Sequence, residues 1–236
     1  MEKKIENFPL ILLAGGRSSR MGTPKGLLDY QGQPWLVEQL RRFKAASGKR
    51  AIIVLGFHQA QYFDQIPWLE KALHQPVEQL GLKISTTINP TPEYGQFSSL
   101  QRAIPFLQTK QTRFDERRTT NDERYLRIER IPGTFFLPVD VPCPGKEVFE
   151  KLAEAFNHSI AAAIPQYQSK GGHPVLLSAD LLHRLAEVPP DSPDARLDLH
   201  IHALPKGQST FVPVEDENVC LNMNTLDEFG YFKGLK

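Results

Sequence analysis

The stretch LLAGGRSSRMGTPKGLL (Leu12–Leu28) joins an apolar run to a glycine-rich, basic loop. The run PLILLA (9–14) reads as a fully buried first strand, and Gly15 and Gly16 let the chain turn at its end. Gly22 adds a second permissive point. Such a loop exposes backbone N–H groups without side-chain obstruction. Arg17, Arg20 and Lys25 add cations suited to phosphate oxygens, arginine by its fork and lysine as a point charge. In open α/β sheets ligands bind just beyond the carboxyl ends of strands, where this loop falls. A Walker A loop (GxxxxGK followed by Ser or Thr) and a dinucleotide fingerprint (GxGxxG) are both excluded by the spacing. The alternative of a plain basic surface turn does not account for three glycines with Arg, Arg and Pro-Lys in so short a stretch.

Outward from this loop, short apolar runs alternate with helical patterns, which predicts a mostly parallel sheet with helices on both faces. PWLVEQLRRFKAA (34–46) spaces Trp35, Leu36, Gln39, Leu40 and Phe43 as one helix face, with Pro34 suited to the first turn. AIIVLG (51–56) and LKISTTIN (82–89) read as strands, and residues 60–80 as helix interrupted at Pro67 and Pro76. SSLQRAIPFLQ (98–108) reads as a helix opened by serine, TFFLPVD (134–140) as a strand, and Lys146 to Phe156 as a helix. IAAAIP (160–165) and HPVLLS (173–178) are strands, followed by helices over 179–188 and 196–204. TFVPVED (210–216) and NVCLNMN (218–224) are expected to end the sheet, and TLDEFGYF (225–232) closes the chain. Residues 108–132 mix both charges with few apolar positions, and are expected to form a solvated or disordered insertion in a single domain spanning 1–236.

The 236 residues are enough to bury a large core without disulfide or metal staples. With 28 basic against 27 acidic residues, the net charge of +1 gives none of the long-range field that nucleic-acid binders use, so anion binding has to be local. Cys143 and Cys220 show no CxxC or Cys/His ligand spacing, and free thiols in a reducing cytoplasm are expected. The apolar run Leu10–Ala14 is too short for a signal-peptide core or a membrane span.

LAGGRSSRMGTPK (13–25) resembles LAGGxSxRMGxxK, the N-terminal signature of the molybdenum-cofactor nucleotidyltransferases, a branch of the MobA-like NTP transferases. EYGQFSSLQRAI (93–104) is similar to the GMxSSLxxGl segment of the cytidylyltransferase branch, although Gln96-Phe97 depart from the small residues usual there. FFLPVDVP (135–142) matches a strand ending in Asp-x-Pro, and KGGHPVLLS (170–178) a GxPVLf segment. LNMNTLDEF (221–229) matches the closing motif [DN]x[DN]TPEDl, with Leu226 in place of its proline. The resemblance implies a Rossmann-like, GT-A-type nucleotidyltransferase fold. It implies transfer of a nucleotide from an NTP to a phosphate monoester, with release of pyrophosphate and with Mg²⁺ as cofactor. CTP is favoured over GTP by residues 93–104, and molybdopterin is the implied acceptor, with a molybdoenzyme or its chaperone as a further partner. Neither nucleic acid nor membrane is expected as a partner.

Residue by residue, the resemblance places the nucleotide against Leu13, Ala14, Gly15, Gly16, Arg17, Ser18, Ser19 and Gly22. Lys25, at the motif lysine, and then Arg20 are the candidates to offset charge in the transition state. Asp140, read by itself, is either a cap or a ligand at a strand end; the resemblance makes it the metal ligand. Asn224 is the second candidate ligand, or else caps the helix beginning near Thr225, and Asn222 is an alternate on the same face. One of Ser98 and Ser99 is expected to cap its helix, the pair also contacting base or ribose. His173, which alone reads as structural, falls on the acceptor side in the family. Two readings stay open beside this one: a sugar-phosphate nucleotidyltransferase, and a non-catalytic nucleotide-binding module.

Overall fold

A computed structural model describes residues 4–19, 21–107, 109–111, 127–129 and 131–234. Its nine-stranded sheet comprises β1 (Leu10–Leu13), β2 (Arg50–Leu55), β3 (Val77–Gln79), β4 (Leu82–Ile88), β5 (Gly133–Pro138), β6 (Ala162–Tyr167), β7 (Lys170–Gly171), β8 (Val175–Ser178) and β9 (Ser209–Pro213). The order is β7-β6-β8-β5-β1-β2-β4-β3, with β9 paired to β6. The four central strands β5, β1, β2 and β4 run parallel, as does the β6–β9 pair, and the remaining pairings are antiparallel. The expected mostly parallel, Rossmann-like sheet is therefore present. After β1 the chain builds β2 to β4 on one side and then crosses to place β5 on the other. That reversal is a topological switch point, the position at which open α/β sheets bind ligands.

Alternation along β1 explains why the run is wholly apolar. Leu10 and Leu12 enter a core built with α1 (Trp35–Ala45), α2 (Gln59–Gln65), α3 (Trp68–His74), while Ile11 and Leu13 point to the opposite face. On that opposite face lie α4 (Gly95–Ala103), through Phe97 and Leu100, and later α6 (Ala179–Ala186), through Leu181 and Leu185. α5 (Lys146–Ala155) and α8 (Leu226–Gly234) join the first core, and α7 (Leu197–His202) packs beside the second. Phe135 sits at the centre of the first core, its ring 4.9 Å from that of Phe149 and 5.6 Å from that of Phe8.

Three expected elements differ. Residues 77–79 form a strand, not the end of a helix, because Leu80 and Gly81 both adopt positive φ and close a tight hairpin with β4. NVCLNMN is not a strand: the Asp216 carboxylate accepts the Asn218 N–H and winds 217–220 into a 3₁₀ turn. The rest of that segment crosses the carboxyl edge of the sheet, where the Met223 N–H donates to the Asp140 carbonyl at 2.8 Å. α4 begins at Gly95 (φ +82°), so Ser98 and Ser99 lie inside it and do not cap it. Of the expected insertion, Thr109–Gln111 and Arg127–Glu129 pair as an antiparallel ribbon, and 108, 112–126 and 130 lie outside the described residues. Among the described residues no helix is long and apolar enough to cross a membrane. Both cysteines are free, Cys143 buried and Cys220 half-buried.

Truncating Phe135, which is fully buried, to alanine is expected to cost about 3–5 kcal/mol. Urea unfolding followed by circular dichroism reads that loss, and a change below about 1 kcal/mol would contradict the central place of this ring.

Candidate functional site

β1, β2 and β5 end level with one another, Leu13 standing beside Val54 and Pro138, so the loops that follow them meet at one edge. The loops after β1 and β2 approach closely because both carry glycine. A Cβ on Gly56 would lie 2.8 Å from the Gly15 carbonyl oxygen, and one on Gly15 would lie 3.1 Å from the Gly56 nitrogen. Ser18 then takes positive φ (51°), its carbonyl accepts the Met21 N–H at 3.0 Å, and its Oγ accepts the Lys25 N–H at 3.0 Å. Among the described residues no acceptor pairs with the N–H groups of Gly16, Arg17 or Ser18, which leaves them for an anion. The Arg17 guanidinium stacks 4.8 Å over Phe57. The loop borders a cavity of about 360 Å³ that also takes in Lys25, Tyr62, Glu93, Ser99 and Asp140.

At the end of this cavity one ammonium is shared. Lys25 Nζ donates to Asp140 Oδ2 at 2.7 Å and to Asn224 Oδ1 at 2.7 Å. Each partner is delivered by its own backbone device. Lys25 opens a 3₁₀ turn whose Gly26 N–H donates to the Tyr62 hydroxyl at 3.2 Å; a Cβ on Gly26 would lie 2.7 Å from that oxygen. Burial pushes the Tyr62 phenol far above its ordinary range, so it stays protonated. Asp140 follows β5, where the Val139 N–H donates to the Leu13 carbonyl at 2.9 Å. Asn224 is tied through its neighbour Met223 to the Asp140 carbonyl.

Asn224 does not cap α8. Thr225 and Glu228 do, as a capping box: the Glu228 N–H donates to Thr225 Oγ1 at 3.2 Å, and Glu228 Oε2 accepts the Thr225 N–H at 3.0 Å. The Asn224 N–H, at 2.6 Å, also donates to that carboxylate and is the first cause holding it below its usual range. The Asn224 amide is thereby left to face Lys25. Asn222 is exposed, and its carbonyl lies 3.5 Å from Asn224 Nδ2.

A carboxylate and an amide oxygen converging on one cation are hard donors of the kind Mg²⁺ takes when phosphates complete its shell. The Lys25 ammonium stands where a cation would, so the residues present fit such an ion. Among the described residues no three His, Cys, Asp or Glu side chains cluster as a metal site.

The other expected site residues divide. Leu13 to Ser18 and Ser99 line the cavity, whereas Ser19, Gly22 and Ser98 do not, and Arg20 lies outside the described residues. Ser98 and Ser99 are buried and each accepts from Asn89 Nδ2, at 2.8 and 2.9 Å, which pins α4 to the end of β4. Neither Asn89 nor Tyr62 belongs to the motifs read from the sequence: an asparagine at a strand end before Pro90 is a usable signal, whereas Tyr62 carries none. His173 borders a second cleft of about 630 Å³ that shares Gly95 and Gln96 with the first. Phe97, Phe136, Ile164, Leu197 and Phe211 make that cleft mainly apolar. Burial lowers the His173 pKa to about 4, opposed only in part by the charge of Asp140, so its imidazole is neutral at pH 7.

A family model described as the MobA-like NTP transferase domain matches residues 10–203. Over 67 residues the chain is 42% identical to a 2-C-methyl-D-erythritol 4-phosphate cytidylyltransferase of Leptospira interrogans, covering 28% of this chain and 26% of that protein. Over 46 residues it is 46% identical to a molybdenum cofactor guanylyltransferase of Xanthomonas euvesicatoria, covering 20% and 24%. The matched part thus spans about a quarter of the length of either relative. The fold is also that of Rv0371c from Mycobacterium tuberculosis in complex with manganese, with a TM-score of 0.61, 16% identity, and 96% and 98% of the two chains covered.

Because the folded His173 pKa lies below the ordinary value, only the unfolded chain takes up this proton between about pH 6.5 and 4. Stability present at neutral pH is therefore expected to decline through that window as pH falls, and His173→Gln to flatten the decline. Urea midpoints from pH 7.5 to 4.5 read it, and an imidazole NMR titration centred near 6.5 would overturn the assignment.

Proposed function

The chain belongs to the MobA-like NTP transferases, and from that premise we propose that it joins an NTP to a phosphate monoester and releases pyrophosphate, with Mg²⁺ as cofactor. The observation that carries this reading is the convergence of Lys25, Asp140 and Asn224 beside the open N–H groups of the loop. An acceptor phosphate oxygen attacks the α-phosphorus, the bond to the β-phosphate oxygen breaks, and the pyrophosphate leaves with that electron pair. The acceptor phosphate is already ionised, so no residue has to remove a proton. The Gly16–Ser18 N–H groups and Arg17 hold the triphosphate, and Lys25 turns its ammonium to the phosphate oxygens. Bound at Asp140 and Asn224, Mg²⁺ supplies neutralisation of the phosphate charge.

The second cleft is assigned to the acceptor. Its apolar, aromatic lining suits a flat ring system, and with the guanylyltransferase relative it supports molybdopterin, which a molybdoenzyme or its chaperone would receive as the finished cofactor. CTP is preferred to GTP on the strength of residues 93–104. The cytidylyltransferase relative favours a second reading, an alditol-phosphate acceptor. We read residues 1–236 as one nucleotidyltransferase domain that works in the cytoplasm.

Incubation with each NTP, Mg²⁺ and either acceptor, followed by pyrophosphate release, tests this. Turnover with CTP is expected, falling about 10²–10³-fold in Lys25→Ala and in Asp140→Ala. NTP binding without release for any pair would favour a binding module, and undiminished release in both variants would overturn the site.

A further inference from the structure

We propose that Trp35 and Gln39, on the buried face of α1, are positioning residues that set where the Asp140 carboxylate stands. The inference rests on the metal and triphosphate reading of the site. Three consecutive carbonyls around Asp140 each take a donor. The Val139 carbonyl accepts the Trp35 indole N–H at 2.7 Å and Gln39 Nε2 at 3.2 Å. The Asp140 carbonyl accepts the Met223 N–H, and the Val141 carbonyl accepts Gln39 Nε2 at 2.6 Å. Gln39 Oε1 then accepts the Cys143 N–H at 2.7 Å, so one side chain spans the whole turn after β5.

Gln39 is completely buried, on the helix face that also buries Trp35, Leu36, Leu40 and Phe43. Burying an amide is costly unless its polar atoms are bonded, and here every bond goes to the turn that carries Asp140. An apolar side chain would fill the space but remove the Gln39 partner of the Val141 carbonyl and of the Cys143 N–H, while the Val139 carbonyl would keep the Trp35 indole.

Trp35 reaches further. Its own N–H donates to the Leu28 carbonyl at 2.9 Å, three residues beyond Lys25. Its ring packs edge-on against Phe229 at 5.6 Å and Phe232 at 5.4 Å, on the helix that follows Asn224. Trp35 therefore touches the segments behind all three converging side chains, the Asp140 and Asn224 segments through its indole and the Lys25 segment through its backbone N–H.

The test uses Gln39→Met, close in volume but without the amide, and Trp35→Phe, which keeps a ring and loses the indole donor. Each is studied at a temperature where circular dichroism shows it folded. The readout is free Mn²⁺, measured by electron paramagnetic resonance with the full chain and a non-hydrolysable CTP or GTP analogue. Outer-shell partners of metal ligands are worth roughly 10–100-fold in affinity, so binding about tenfold weaker is expected in either variant. kcat should fall and recover as Mg²⁺ is raised, with the KM for NTP at saturating Mg²⁺ unchanged. Folded variants with the affinity of the parent would overturn the inference, since a merely structural role predicts lower stability and an unaltered site. If Gln39→Met does not fold, Trp35→Phe carries the test. Asp140→Asn separates the two levels: if it also leaves Mn²⁺ binding intact, the metal reading itself fails. If it alone abolishes binding, only the positioning inference fails.

Discussion

On the proposed reading the site brings together two phosphorylated molecules that repel one another, and with a net charge of only +1 the chain has to place positive charge locally, at one point. Here the point is Lys25 Nζ, shared between oxygens 115 and 199 residues away in sequence. An exposed pair of this kind would contribute little to stability. Its side chains are mostly shielded, 18% exposed on Lys25 and 16% on Asp140, and a third segment closes the set. The arrangement depends on three separate pieces of chain reaching one edge of the sheet with their backbones fixed.

The sheet register makes that possible. β5, β1 and β2 finish level, and the order reversal around β1 leaves room for a loop between their ends. Glycines at 15 and 56 allow the loops to touch, and glycine at 26 lets the turn after Lys25 rest on Tyr62. From beneath, α1 bonds the turn after β5, while the capping box at Thr225 and Glu228 stops the C-terminal segment where the Asn224 amide faces inward.

Much of this was legible in the sequence because it is local. β1, β2 and β5 are apolar runs ended by glycine or aspartate, β4 is a run of alternating character ended by asparagine, and α1 shows its buried stripe directly. The loop could be read as an anion site from its glycines and cations, and Asp140 and Asn224 from the resemblance of their motifs. What escaped depends on contacts between distant segments. Tyr62 and Gln39 look like ordinary helix residues until the turns they bond are in place. NVCLNMN has the composition of a strand, yet the Asp216–Asn218 hydrogen bonds and the reach to Asp140 take it out of the sheet. The 77–79 hairpin was hidden because Leu80, at positive φ, is a residue whose type does not announce that conformation.

Asparagine rather than aspartate at 224 has an electrostatic consequence. Lys25, Asp140 and Asn224 together carry no net charge, so the ligand-free site is balanced by its own ammonium. Were 224 a carboxylate, two negative charges would share that ammonium, and a dication would be attracted even with no nucleotide present. With the amide, a dication gains from one carboxylate only and must compete with an ammonium already 2.7 Å away. The balance changes when a triphosphate enters, because its oxygens both draw Lys25 off and complete the shell of a hard cation. On the proposed reading, the neutral amide therefore couples metal binding to nucleotide binding: it weakens the metal's hold on the empty site and leaves the loaded site more positive toward the phosphates.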